Sequence, residues 1–132
     1  YKKGTILSGL SAGAIAWFRY GSSYSRRLME NGNPVDSFSR VSSLGFFPLT
    51  ISPHHIRENN PRDLGIREIM KRTPGVALAL DDNAAIFIED GRYRIVRSRQ
   101  GVGIAKVFQK KGKIEKIPLK EYGVIEELFI KG

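Results

Sequence analysis

Short apolar blocks separated by turn residues run along most of the chain, and this pattern predicts an α/β fold rich in strands. Three of the blocks are continuous enough for buried strands, at residues 5–8, 44–51 and 76–80. Shorter runs joined by tight turns predict further strands at 84–88, 93–98, 102–109 and 113–118. The apolar tail 122–130 predicts a last strand or a short helix that packs onto the rest.

Two segments have the pattern of a regular helix. Small and apolar residues at 12–20 predict a first helix that is closed by Gly21. The spacing of apolar residues predicts a second helix at 64–71, with Asp63 as its N-cap.

The stretch between these helices, residues 21–44, is polar and rich in Ser and Gly. It predicts a long loop, with one helical turn around 24–30. A loop of this length inside a compact domain is usually functional or disordered.

Length and composition predict one soluble globular domain. The chain has 132 residues, 41% of them hydrophobic, and no apolar stretch approaches the length that spans a bilayer. Cysteine is absent, which excludes disulfides, thiolate catalysis and cysteine metal sites. A cytoplasmic location without membrane contact fits this composition.

The charge of the chain is unusual, because 22 Lys and Arg against 13 Asp and Glu give a formal net charge of +9. A solvated basic surface is the favoured interpretation, since acidic residues are interspersed among the basic ones. The alternative is a binding module without catalysis that holds nucleic acid or an acidic partner through residues 92–99 and 106–120.

The pentapeptide Gly9-Leu10-Ser11-Ala12-Gly13 is the strongest chemical signal in the chain. It follows a predicted strand and opens a predicted helix, which is the context of a nucleophile elbow. Such a turn strains the serine backbone and requires nearly side-chain-free neighbours. Ser11 is therefore a candidate nucleophile, and the alternative is a tight turn with a buried serine.

A serine nucleophile needs a base, and the histidines of the chain are His54 and His55, which follow a predicted strand. Asp81 and Asp82 follow the next buried strand and are candidates for the acid that orients the base. Open α/β sheets place their chemistry at the carboxyl ends of strands. The alternatives are a surface loop and an ordinary turn; a metal site at the histidine pair is less expected.

Together these segments resemble the peptidase E and cyanophycinase group of serine peptidases, family S51. Gly9 to Ala14 is similar to its Gly-x-Ser-Ala-Gly-Ala motif, residues 44–54 to its strand ending in Pro-His, and residues 79–84 to its acidic turn. The resemblance implies Ser11 as nucleophile, His54 as general base and Asp82 as orienting acid. Relatives often carry Glu at the acid position, so Asp81 stays a competitor for that role.

The resemblance implies a three-layer open sheet of the class I glutamine amidotransferase-like (flavodoxin-like) kind, with C-terminal hairpins. Family members carry further βα units before the elbow, with a loop that supplies an oxyanion donor. The 132 residues therefore resemble the C-terminal half of such a domain, which implies an N-terminal complementary fragment or a homo-oligomer as partner.

The family's activity implies cleavage of a small peptide bond beside an aspartyl residue, with no metal or other cofactor. The Ala12 N–H would be one oxyanion donor. Arg62, and after it Arg57, would bind the acidic substrate, because a guanidinium pairs in a fork with a carboxylate. Nucleic acid is not an expected partner on this interpretation.

Overall fold

The computed structural model describes residues 2–23, 38–55 and 61–132. The described helices are α1 Ala12–Ile15, α2 Pro61–Lys71 and a 3₁₀ helix at Ile125–Leu128. The described strands are β1 Phe18–Ser23, β2 Ser39–Ser42, β3 Phe47–Ser52, β4 Val76–Leu80, β5 Ala84–Glu89, β6 Arg92–Arg97, β7 Ile104–Lys110, β8 Lys113–Pro118 and β9 Tyr122–Val124.

Within the described residues, six strands form a mixed sheet in the order β2-β1-β3-β4-β7-β8. The central strands β1, β3 and β4 run parallel, so their carboxyl ends meet at one edge of the sheet. The outer strands β2, β7 and β8 are antiparallel to their neighbours. A second, antiparallel sheet has the order β5-β6-β9.

Side-chain size along β4 explains the layering of the domain. Its residues alternate between Ala77 and Ala79, which face α2, and larger apolar residues, which face α1 and the second sheet. The small alanines let α2 approach the sheet and bury Ile66 and Met70 completely. The result is a three-layer α/β arrangement, with α2 on one side of the mixed sheet and the second sheet on the other.

The predicted strands from residue 44 onward are confirmed, with boundaries within about three residues. The predicted helix 64–71 is also confirmed, and it begins three residues earlier, at Pro61. The tail contains both elements that the sequence left open, since a short strand is followed by a 3₁₀ helix.

The predicted helix at 12–20 is wrong beyond Ile15, because the chain turns there and enters β1. Aromatic residues favour strands, and Phe18 and Tyr20 pair with β3 in the sheet. Gly21, predicted to close the helix, lies inside β1 against the Ile15 side chain. A Cβ atom at Gly21 would lie 2.7 Å from Ile15 Cγ1, so glycine allows the helix to pack on the strand.

The predicted strand at 5–8 is wrong, since this segment has no regular structure and Ile6 is 87% exposed. A strand needs a hydrogen-bonded neighbour, and no described strand pairs with it. The predicted loop 21–44 is wrong at residues 21–23, which belong to β1, and at residues 39–42, which form β2. The predicted helical turn at 24–30 lies outside the described residues.

The prediction of Asp63 as an N-cap is also wrong. Asp63 is the third residue of α2 and is buried, and its carboxylate binds Arg67 and Lys116. Acidic residues are favoured both at a helix cap and in the first turn, so the sequence signal was shared by the two positions.

No helix in the described part of the chain is long and apolar enough to cross a membrane.

Candidate active site

Ser11 occupies a strained turn immediately before α1. Its backbone angles, φ 55° and ψ −118°, are those of the first central position of a type II′ turn, which normally holds glycine. The Gly13 N–H donates to the Leu10 carbonyl at 2.9 Å and closes this turn. A strained non-glycine residue of this kind costs about 1–3 kcal/mol and is typical of functional sites.

The two glycines around Ser11 have different reasons to be there. A Cβ atom at Gly9 would overlap the Gly13 carbonyl and lie 2.7 Å from the Ala14 backbone nitrogen, so any side chain there distorts the elbow. At Gly13 a Cβ atom would meet no described atom within 4 Å. The expectation that both neighbours must be side-chain-free therefore holds for Gly9 and is wrong, on steric grounds, for Gly13.

His54 lies just beyond the carboxyl end of β3, and its backbone is also left-handed, with φ 58°. The next residue fixes this loop, because the His55 N–H donates to the Leu80 carbonyl at the end of β4, at 2.7 Å. Since β3 and β4 are parallel, this hydrogen bond brings the loop beside the residues that follow β4.

The structure brings Ser11, His54 and Asp82 together. His54 Nε2 lies 3.0 Å from Ser11 Oγ, and His54 Nδ1 lies 2.6 Å from Asp82 Oδ1. The side chains of His54 and Asp82 are 34% and 42% exposed, so the group is open to a substrate. A hydroxyl, an imidazole and a carboxylate in this sequence of contacts can pass the serine proton to the imidazole.

The competitor Asp81 points elsewhere. Its carboxylate accepts a hydrogen bond at 2.9 Å from the N–H of Gly103, the residue before β7. Burial raises the pKa of Asp81, and the hydrogen bond from Gly103 opposes part of this rise. In the structure Asp82, and not Asp81, is the carboxylate in contact with His54.

His55 is not a base in this arrangement, because its side chain points to the opposite side of the loop. It is 2% exposed, and its Nε2 lies near Lys116 Nζ and Asp63 Oδ1. Burial, together with the Lys116 ammonium, lowers the pKa of His55 to about 4, so the ring is neutral at pH 7.

The other predicted site residues are placed less directly. Ala12 begins α1, so its N–H has no acceptor within the helix and is adjacent to Ser11. Helix α1 is only 4 residues long, so it has no extended helix dipole. Negative charge beside Ser11 would be stabilised by individual backbone N–H groups. Arg62 donates to the Pro53 carbonyl at 3.2 Å and stacks on Phe38. Arg57 lies outside the described residues.

The expectation of a solvated basic surface is wrong for two lysines. Lys106 is buried and donates to the carbonyls of Glu127 and Ile130, and burial lowers its pKa. Lys116 points toward α2 and binds Asp63. An apolar neighbourhood in the sequence, Ile104 to Phe108, was the available signal for Lys106. Nothing local marked Lys116 or its contact with Asp63.

Among the described residues, no group of His, Asp and Glu could hold a metal ion.

Two comparisons with known proteins bear on this geometry. The sequence model of Peptidase family S51 matches residues 1–96, a range that contains Ser11, His54 and Asp82. An uncharacterized peptidase of Bacillus subtilis (strain 168), YgaJ, is 32% identical over 120 residues, which are 90% of this chain and 48% of the relative. The chain thus spans about half the length of that relative.

Proposed function

Because this chain belongs to peptidase family S51, we propose that it is a serine-type peptidase with a Ser-His-Asp triad. The observation that supports this most strongly is the pair of contacts made by the His54 ring, 3.0 Å to Ser11 Oγ and 2.6 Å to Asp82 Oδ1. The strained backbone of Ser11 agrees with the same role.

In the proposed reaction Ser11 Oγ attacks the carbonyl carbon of a peptide bond while His54 Nε2 takes the hydroxyl proton. Asp82 accepts the Nδ1 proton of His54 in a hydrogen bond, which keeps Nε2 free to act as a base and stabilises the imidazolium. The Ala12 N–H donates to the developing oxyanion. His54 then protonates the leaving amine, and water releases the acyl group by the reverse sequence of proton transfers.

We propose that the substrates are dipeptides or other small peptides and that an acidic residue lies beside the cleaved bond. Arg62 supports this, because its guanidinium lies against Pro53, the residue before His54, and a guanidinium binds a carboxylate with two parallel hydrogen bonds. The net charge of +9 favours the approach of acidic peptides.

The cysteine-free composition supports the cytoplasmic location that we propose for the enzyme.

Hydrolysis of matched dipeptides tests the proposal. An Asp-X peptide should be cleaved and the Asn-X peptide of the same shape should be cleaved at least about tenfold more slowly, because the neutral amide loses the charge pairing. Arg62→Gln should reduce this preference, whereas Arg72→Gln, at an exposed arginine after α2, should leave it unchanged. Equal cleavage of both peptides would contradict the acidic specificity but not the serine mechanism.

We further propose that a complementary polypeptide covers the surface beside the elbow. Ile6, Leu10, Leu44 and Phe46 are all exposed, and Trp17 links this surface by donating to the Ser8 carbonyl and packing near Phe46. Exposed apolar patches of this kind mark interaction surfaces. A second oxyanion donor from the complement would add about 10²–10³ in rate.

Mixing this chain with the half of the Bacillus relative outside the match tests this proposal. A higher rate of Ser11 acylation on mixing supports a complementary chain. Concentration-dependent sedimentation of this chain alone, abolished by Leu10→Asp, would instead indicate self-association through the same surface. A monomer whose acylation rate does not change on mixing would contradict the proposed cover.

A further inference from the structure

A buried charged cluster lies directly behind the loop that carries His54. Asp63 of α2 is at its centre, and its Oδ2 accepts a hydrogen bond from Arg67 Nε at 2.6 Å. Its Oδ1 accepts one from Lys116 Nζ of β8 at 2.9 Å and lies 3.0 Å from His55 Nε2. We call these four residues, Asp63, Arg67, Lys116 and His55, the anchor cluster.

Because the anchor cluster is buried, its charged and polar groups need partners within the protein. Asp63 and His55 are almost completely buried, and His55 Nδ1 has no hydrogen-bond partner within the described residues. Burial alone would raise the pKa of Asp63, but the hydrogen bonds from Arg67 and Lys116 outweigh it and keep the carboxylate ionised. A buried carboxylate held in this way is only weak evidence of added stability, since an apolar group often packs equally well.

The side chains of His54 and His55 point to opposite sides of the loop. His55 enters the cluster on the α2 side, and its N–H is tied to the Leu80 carbonyl at 2.7 Å. The side chain of the preceding residue, His54, points away from the cluster, toward Ser11 and Asp82. The left-handed backbone of His54, φ 58°, is costly for a non-glycine residue and persists only where surrounding contacts enforce it.

We propose that Asp63 is a positioning residue for His54: through His55 and Lys116 it fixes the loop so that the His54 ring stays between Ser11 and Asp82. This inference rests on the proposed function for its catalytic consequence, but not for the geometry that it describes. It assigns a task to a carboxylate, a lysine and a second histidine that have no part in the proton transfers. A substitution in the cluster should therefore change His54 without touching the substrate.

Proton NMR of the folded protein reports on His54 independently of any activity. The Nδ1 proton that His54 shares with Asp82 should give a resonance shifted downfield by its short hydrogen bond. Asp63→Asn should broaden or shift this resonance and slow acylation of Ser11 by a fluorophosphonate by about tenfold or more. Glu68→Gln is the matched control, because Glu68 lies on the same helix but is exposed and pairs with Lys71. It should leave both the resonance and the rate unchanged.

Further variants keep the proposal testable if Asp63→Asn fails to fold. His55→Phe keeps an aromatic ring at this position and leaves Asp63 paired with Arg67 and Lys116, and Lys116→Met removes the cation. Both should change the His54 resonance, and Lys116→Arg, which keeps the ion pair, should restore it. The inference is overturned if folded Asp63→Asn keeps the native resonance. Where Asp63→Asn does not fold, the inference is overturned if folded His55→Phe and Lys116→Met both keep the native resonance, or if neither of them folds, since the cluster would then support the fold alone.

The two proposals fail in different ways. A wild-type protein that shows the downfield resonance but no acylation of Ser11 would contradict the proposed peptidase and leave the positioning role intact. Normal acylation together with an unchanged His54 resonance in folded Asp63→Asn would contradict the positioning role alone.

Discussion

His54 Nδ1 lies 2.6 Å from Asp82 Oδ1, whereas the adjacent carboxylate of Asp81 is held by the Gly103 N–H. Two successive aspartates at the end of β4 therefore have different partners. Asp82 is free to orient an imidazole, and Asp81 fastens the β4–β5 turn to the segment before β7. Substituting each aspartate separately therefore tests which of the two carboxylates supports the reactivity of Ser11.

Asp82→Asn should reduce the acylation of Ser11 on the order of 10⁴-fold, because an amide can donate to His54 Nδ1 and hold the wrong tautomer. Asp81→Asn should change the rate by no more than about threefold, equivalent to less than about 1 kcal/mol of barrier, since the amide oxygen can still accept from Gly103. Rates of labelling by a fluorophosphonate, measured for both variants, check the prediction. A larger loss in Asp81→Asn than in Asp82→Asn would reverse the assignment.

Gly9→Ala should destabilise the protein by at least about 2 kcal/mol, because its Cβ atom would overlap the Gly13 carbonyl and the backbone must move. Gly13→Ala should be neutral or stabilise by up to about 1 kcal/mol, since the site is open and alanine favours a helix. Urea unfolding of the two variants gives both free energies. Equal effects of the two substitutions would contradict the described elbow.

The buried His55 should make the protein acid-sensitive. Its pKa is lowered from 6.5 to about 4 in the folded state, so the unfolded chain binds a proton more readily over this interval. Stability is therefore fully present above pH 6.5 and is lost as the pH falls toward 4, by about 3 kcal/mol from this residue. Asp63, whose pKa is also lowered, adds a loss in the same direction at still lower pH.

The free energy of unfolding, measured by urea titration at pH 7 and at pH 4, isolates this effect. His55→Phe should lose less stability than the wild type between the two pH values, because the group that takes up the proton is gone. Within the described residues, the charged groups that act on His55 are Asp63, Arg67 and Lys116, and all three remain in this variant. An identical loss in both proteins would show that His55 is not the cause.

Much of the fold could be predicted from local patterns, because each of these patterns favours one kind of secondary structure. Val76 to Leu80 is a continuous apolar run, and it forms a strand buried on both faces. Ser11 and His54 were identified because a turn between glycines and a polar loop after an apolar strand are local features. The approach of His54 to Asp82 depends on the parallel pairing of β3 with β4, which is a contact between distant parts of the sequence.

Long-range contacts set the limits of prediction. The helix that begins at Ala12 is shorter than predicted, because the residues after it form β1. This strand pairs in a sheet whose other strands come later in the chain. The sequence predicted Asp63 as a helix cap because its contact with Lys116, which lies 53 residues away, leaves no local signal in the chain. The segment 5–8 has a strand-like composition, but composition does not supply the neighbour that a strand must pair with.

Ser11→Ala should abolish covalent labelling by a fluorophosphonate, because the attacking oxygen is absent. Ser8→Ala is the matched control, since Ser8 is exposed, lies three residues away and accepts the hydrogen bond from Trp17 with its backbone carbonyl, which the variant keeps. This variant should label at the wild-type rate.

Mapping the label on the wild-type protein by tandem mass spectrometry tests the central claim most directly. The account predicts one phosphonylated residue, Ser11, and a strong reduction of the adduct in His54→Ala, which removes the base. A folded wild-type protein with no adduct on Ser11, or with the adduct on another serine, would contradict it.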